Sequence, residues 1–286
     1  SGVIPDSLGH LLQITLLDLS SNRLSGSIPD NLGQLTQLAV LDLGSNQLSG
    51  VIPDSLGQLS QLVSLDLGIN QISGHIPDEL GHPAQLVELY LNANQLSGAI
   101  PDSLGQLKQL AELHLSSNQL SGEIPQWLGQ LTQLMAVVVS DNRLRGGIPS
   151  LRNATSLGVV DISRNAELNI SADCIAVQWL GDGLTQLSSL SLEGVALPPG
   201  FLSSLPPLPQ LMLLNAANTG VSGTLDANIS RQAPALVNLL LQSNALSGPI
   251  PPLPTGLRTF VAFSNDFSQL PPLQPLRNLT YLVLDG

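Results

Sequence analysis

Asn22, Asn46, Asn70, Asn94, Asn118 and Asn142 stand 24 residues apart, each closing a frame of the form Leu-x-x-Leu-x-Leu-x-x-Asn in which Ile or Val takes some of the Leu slots. A fixed period of this length marks a stacked repeat. One such turn cannot bury its own leucines, whereas a stack of them can, so the chain is expected to form a solenoid in which each repeat touches its neighbours. Beyond Asn142 the slot falls at Asn165, Val195, Thr219, Asn244 and Asn265, at spacings of 23, 30, 24, 25 and 21. The expectation is therefore a single solenoid over 1–286, with regular repeats in 1–142, degenerate repeats in 143–286 and an insertion near 166–186. Ser1–Pro5 aligns with Ser25–Pro29, and a last strand opens at Leu279, so both ends fall inside the repeat pattern. A segment truncated at both ends is expected from that alignment.

A Leu-Ser-Gly-x-Ile-Pro segment follows the Asn at Leu24–Pro29, Leu48–Pro53, Leu96–Pro101, Leu120–Pro125 and Leu246–Pro251, with Ile72 opening the copy that ends at Pro77. This pattern resembles the plant-type extracellular leucine-rich repeat. The resemblance implies an α/β solenoid, a horseshoe or superhelix with a parallel sheet on its concave side and short helical or irregular turns on its convex side. It also implies extracellular recognition, as in receptor-like kinase ectodomains, receptor-like proteins and polygalacturonase-inhibiting proteins. Members of that family often close their ends with paired cysteines. Cys174 is the single cysteine here, so no intrachain disulfide can form.

Charge narrows the partners. Through Asn142 there are 13 acids and two bases, Arg23 and Lys108, a net of 2 − 13 = −11; from Arg143 onward seven bases meet eight acids, a net of −1. Nucleic-acid affinity is carried largely by cationic side chains, so nucleic acid is excluded as a partner, and so is an anionic membrane surface. No apolar run reaches the ~18 residues of a membrane span. Asn153, Asn169, Asn228 and Asn278 each open an Asn-x-Ser/Thr acceptor pattern for glycosylation, which suits a secreted or cell-surface chain.

Alternation along a strand sends neighbouring side chains to opposite faces. In Leu41-Asp42-Leu43 the leucines point into the core and Asp42 points out. The outward column then reads Asp18, Asp42, Asp66, Tyr90, His114, Val138, Asp161, Ser191, Asn215, Leu240 and Val261. Glu88, Glu112, Asp141, Arg164 and Glu193 are expected beside it. Strands ~4.8 Å apart make the first aspartates a ladder of like charges, each pair repelling by about 0.8 kcal/mol even in water. Solvent and the Ser20, Ser21 and Ser45 hydroxyls are one way to tolerate this, a cationic partner surface a second, and a divalent cation a third. The candidate ligand-binding residues are Asp42, Asp66, Glu88, Tyr90, Glu112, His114, Asp141, Asp161 and Arg164, with His114 an exposed contact that could make binding sensitive to pH.

The Asn column is expected to bond main-chain groups of the adjacent turn and lock repeat to repeat. Asp6, Asp30, Asp54, Asp78 and Asp102, each after an Ile-Pro, are expected to cap short helical turns. The 30-residue spacing holds Asn169, Cys174 and Trp179, and 174–180 reads as a helix that serves packing. No catalytic set emerges. His114 and Ser116 lie on one strand face roughly 6.5 Å apart, beyond the reach a Ser-His-Asp arrangement needs. No enzyme activity, cofactor or metal is expected. The function expected is recognition of a protein or peptide on the concave face, a partner with a basic surface being one that the acidity would suit. The rival is a structural or surface-active extracellular protein, such as a cell-wall matrix or ice-binding protein.

Overall fold

The computed structural model describes residues 1–170, 179–181, 183–270 and 274–284. The chain divides into two compact units, Ser1–Leu144 and Arg145–Gly286.

In the first unit six three-residue strands, Leu16–Asp18, Val40–Asp42, Ser64–Asp66, Glu88–Tyr90, Glu112–His114 and Ala136–Val138, pair in parallel in chain order. Their register is the sequence period: Asp42 faces Asp18 and Asp66, and Tyr90 faces Asp66 and His114. The middle residue of each pleat goes inward, so Leu41, Leu65, Leu89 and Leu113 are fully buried together with Leu43, Leu67, Leu91 and Leu115.

Each strand ends in a turn whose residue before the Asn slot is left-handed, from Ser21 (φ 54°) to Asp141 (φ 55°). Here the Asn side chain takes over from the strand ladder. Asn46 Nδ2 donates to the Leu19 carbonyl of the preceding repeat (3.0 Å) and to the Leu43 and Gly44 carbonyls of its own, while its Oδ1 accepts the Leu24 amide (3.0 Å). Asn70, Asn94, Asn118 and Asn142 repeat the arrangement. The expected asparagine lock is therefore present, four bonds to each side chain.

The Ile-Pro segment then leads into a short 3-10 turn, as in Asp30–Gln34 and Asp54–Gln58. The expected aspartate caps are not formed. The turn is closed by its proline, whose carbonyl accepts the amide three residues on (Leu32 to Pro29, 3.1 Å), so Pro29 occupies the cap position and Asp30 the first turn. The same holds at Asp6, Asp54, Asp78 and Asp102, none of whose turns has a side-chain cap bond. A proline fits there because its fixed φ suits the entry. The aspartates keep only the favourable charge at a helix start.

In the second unit the strands Val159–Asp161, Ser189–Ser191, Leu213–Asn215, Asn238–Leu240, Thr259–Val261 and Tyr281–Val283 pair in parallel in the same way. The slots that lack Asn are repaired differently. Thr219 uses one hydroxyl between the Ala216 carbonyl (3.1 Å) and Asn244 Oδ1 (3.0 Å), and Val195 is simply buried. Within the insertion, Trp179 and Leu180 are helical and buried, the Trp179 carbonyl accepting the Leu151 amide (2.6 Å). Cys174 and the rest of the helix expected over 174–178 lie outside the described residues.

Candidate functional site

The strand register places Asp42, Asp66, Tyr90 and His114 in one column of the first unit and Glu88 and Glu112 in the column beside it, across Ser64 and Ala136. Six of the nine residues expected to bind ligand thus share four adjacent strands. Asp141 follows the sixth strand and Arg164 (φ 52°) follows Val159–Asp161; both occupy the left-handed position before an Asn slot and so stand in turns rather than beside the column. Asp161 and Arg164 belong to the second unit, where Ser163 donates its hydroxyl (2.6 Å) and amide (3.0 Å) to the Asp161 carboxylate. Glu193, also in that unit, accepts from Asn215 Nδ2 at 3.1 Å.

The three stacked aspartates are held apart in chemistry by their local bonds. Asp18 accepts the Ser20 hydroxyl (2.7 Å) and amide (2.9 Å), which lowers its pKa. Asp42 and Asp66 instead accept the backbone amides of Gly44 (2.9 Å) and Gly68 (2.7 Å). Their carboxylates converge on Gly44: a Cβ there would stand 3.0 Å from Asp66 Oδ1 and 3.2 Å from Asp42 Oδ1. Hydroxyls therefore explain Asp18, while glycine amides explain its two neighbours. Asp-x-Gly at 42–44 and 66–68 carried that signal in the sequence.

Burial nevertheless pushes the Asp66 pKa up, with a smaller push from Asp42, and the Gly68 amide and His114 only partly offset it. The folded chain thus binds a proton at Asp66 more readily than the unfolded chain. An acid with a raised folded pKa costs stability once both states are ionised, and the cost fades as pH falls through the folded value into the ordinary carboxylate range. Asp66→Asn, which keeps an acceptor for Gly68, should therefore raise the thermal midpoint at neutral pH. The gain over wild type should shrink on acidification, a pair of melting curves that differential scanning calorimetry resolves.

Tyr90 and His114 stack, ring centroids 4.8 Å apart and tilted by 40°. His114 Nε2 lies 3.0 Å from Glu112 Oε2, and Ser64 donates to Glu88 Oε2 at 2.8 Å. Burial first, then Glu88, Glu112 and Asp66, push the Tyr90 pKa up, so the phenol stays neutral and able to donate. The result is a half-exposed aromatic pair with Asp66 on the preceding strand and Glu88 and Glu112 in the adjacent column. Two bases stand within 1–142; of these, Lys108 gives its ammonium to the Gly105 carbonyl (2.7 Å) on the turn side, and Arg23 sits in the turn after the first strand. Among the described residues no group of three or more His, Cys, Asp or Glu is placed to hold a metal. None of their helices is long and apolar enough to cross a membrane.

The four asparagines of the glycosylation patterns, Asn153, Asn169, Asn228 and Asn278, are all exposed. One residue of the first unit that sequence reasoning passed over is Ile69, exposed at a positive φ in the turn that follows the Ser64–Asp66 strand.

Among solved structures, the chain is similar to the plant peptide hormone receptor RGFR1 in complex with RGF2: 33% identity, 97% of this chain and 44% of that one, TM-score 0.85. It is similar also to the leucine-rich-repeat ectodomain of the plant membrane receptor kinase GASSHO1/SCHENGEN3 from Arabidopsis thaliana in complex with CASPARIAN STRIP INTEGRITY FACTOR 2. There the identity is 28%, the coverage 99% and 40%, and the TM-score 0.83. A plant ice-binding protein matches at 25% identity over all of this chain and 78% of its own, with TM-score 0.64. The chain thus spans less than half the length of the two receptors. Among curated proteins, none matches. The model of the leucine-rich repeat region matches residues 3–233, which with the parallel strands and asparagine lock leads to one conclusion: the chain belongs to the leucine-rich repeat family.

Proposed function

We propose that the chain is an extracellular recognition scaffold, part of a receptor or a secreted inhibitor, that binds a protein or peptide bearing basic side chains on the sheet face of its first unit. Tyr90 and His114 form the centre, Asp42, Asp66, Glu88 and Glu112 the acidic surround, and Asp141 the margin. The observation that carries the proposal is the stacked aromatic pair set among carboxylates, while the unit's three Lys and Arg residues stand off that sheet: Lys108 on the turn side, Arg23 in a turn, and Arg143 opening the strand Arg143–Gly146 of another sheet. A cationic side chain laid there would meet a ring face and several carboxylates at once, with the strands already ordered, so little conformational entropy is lost on binding. Of the receptors it resembles, the peptide hormone receptor RGFR1 was solved in complex with RGF2 and GASSHO1/SCHENGEN3 in complex with CASPARIAN STRIP INTEGRITY FACTOR 2. The glycosylation patterns point the same way: all four lie after residue 144, so sugars there would leave the first unit bare.

The test uses matched synthetic peptides, one carrying Arg and one carrying Glu at the same positions. Wild type should bind the Arg peptide in a salt-sensitive way, and the Asp42→Asn, Asp66→Asn, Glu88→Gln, Glu112→Gln variant should bind it about tenfold or more weakly. A control with the same change in net charge on the turn side, Asp30→Asn, Asp54→Asn, Asp78→Asn, Asp102→Asn, should bind nearly as wild type. Equal loss in both variants would reduce the effect to net charge and remove the proposed site.

A second reading draws on the ice-binding match: a regular array that fits a repeating surface. The column from Asp66 to Tyr90, His114 and Val138 changes chemistry at each step, which suits a sequence-specific ligand better than a lattice. Thermal hysteresis and ice-recrystallisation assays of the purified chain should show no activity; activity at micromolar protein would favour the rival.

A further inference from the structure

The left-handed position before each Asn slot costs an L-residue energy, least for Gly and Asn and most for a β-branched side chain. Across the chain it is filled by Ser21, Ser45, Ala93, Ser117, Asp141, Arg164, Gly194, Asn218, Ser243 and Ser264, and once by isoleucine, Ile69 at φ 55°. Ladder bonds pin that conformation: the Ile69 amide donates to the Asn92 carbonyl (2.8 Å) and its own carbonyl accepts the Asn46 amide (3.1 Å). Such strain persists only where the surroundings over-determine it. Burial compensates little, because the residue is 56% exposed. An aliphatic group that is both strained and wet gains little within its own fold.

Its place makes it useful to something outside. Ile69 stands in the turn that follows the Ser64–Asp66 strand, three residues past Asp66, and its amide bonds Asn92, two residues past Tyr90 on the adjacent strand, so it lies at the end of the proposed face. We infer that the proposed face is a two-part recognition surface: the carboxylates around Tyr90 and His114 take a cationic side chain, and Ile69 seats a large apolar side chain of the same peptide, a fixed number of residues away. The inference rests on the sheet-face proposal and specifies its ligand as a peptide that pairs a basic with an apolar residue. Complementary charge argues for that occupant, since the first 142 residues carry a net of −11.

A library of short randomised peptides displayed on phage is selected in parallel on wild type, on Ile69→Asn, and on the Asp42→Asn, Asp66→Asn, Glu88→Gln, Glu112→Gln variant. Wild type should enrich Lys or Arg together with a large apolar residue at constant spacing. Ile69→Asn suits the left-handed backbone, so its thermal midpoint should rise by about 1–2 °C, which rules out misfolding as the cause of any weakened binding. It should keep the basic residue, drop the apolar one, and bind the synthetic wild-type consensus about tenfold more weakly, the order expected when one apolar side chain of the peptide stays in water. An unchanged consensus and affinity on Ile69→Asn would overturn the inference and leave the acidic face standing. A basic residue absent from the wild-type selection, or kept by the acid-stripped variant, would overturn the sheet-face proposal and this inference with it.

Discussion

Gly33→Ala should destabilise the chain by about 2–3 kcal/mol, the usual cost of forcing a methyl into a closed packing. The space is closed because a Cβ on Gly33 would overlap the Ser55 carbonyl oxygen of the next repeat and lie 2.7 Å from its Cβ and 2.8 Å from its carbonyl carbon. Backbone is what stands in the way, and backbone cannot rotate aside as a side chain can. The same collision recurs one repeat on, where Gly57 meets the Glu79 carbonyl, and again where Gly81 meets that of Ser103. These glycines let successive 3-10 turns touch, so they set the repeat spacing on the turn side as the strand ladder does on the sheet side. Urea unfolding is the measurement. Gly147→Ala, where a Cβ would meet nothing within 4 Å, is the control and should fall within about 0.5 kcal/mol of wild type.

Asn142→Ala should cost a similar amount, about 3 kcal/mol, for a different reason. Its Oδ1 is a partner of the Leu120 amide (2.9 Å), and its Nδ2 serves the Leu115, Val139 and Ser140 carbonyls at 3.0–3.1 Å, all in a buried setting. Alanine leaves those groups dry and unpaired, and an unmade buried hydrogen bond costs more than a made one contributes. Asn22→Ala should cost under ~1 kcal/mol, because Asn22 is exposed and its bonds go to the Leu19 and Ser20 carbonyls within its own repeat. Stacked repeats need not unfold in one step. Amide exchange at Leu120 is therefore a sharper readout than a global midpoint, and it should accelerate in Asn142→Ala.

Strand register and the asparagine lock were legible in the sequence because both follow from a period of 24 and an alternation of two, and neither depends on distant packing. Three things were not. The aspartates after Ile-Pro looked like caps because capping residues precede helices, yet a 3-10 turn closes on the proline carbonyl one residue earlier, which displaces Asp30 into the turn. Which of three identical column aspartates would be burdened by burial depended on the neighbour across the strand, and Asp66 alone of the three faces a tyrosine. The strain at Ile69 was hidden because a left-handed φ is a property of the turn. Its only trace was an isoleucine where Ser, Ala and Asp stand in the sister repeats.

The most direct test of the proposed face maps contact rather than affinity. A photo-crosslinking residue is placed at position 90 on the first unit's sheet, at 102 on its turn side, or at 240 on the second unit's sheet, and each protein is irradiated with the Arg peptide. A covalent adduct at 90, weak at 240 and absent at 102, is the predicted result. An adduct at 102 that equals or exceeds that at 90, or none at any position, would contradict recognition by the Tyr90–His114 face.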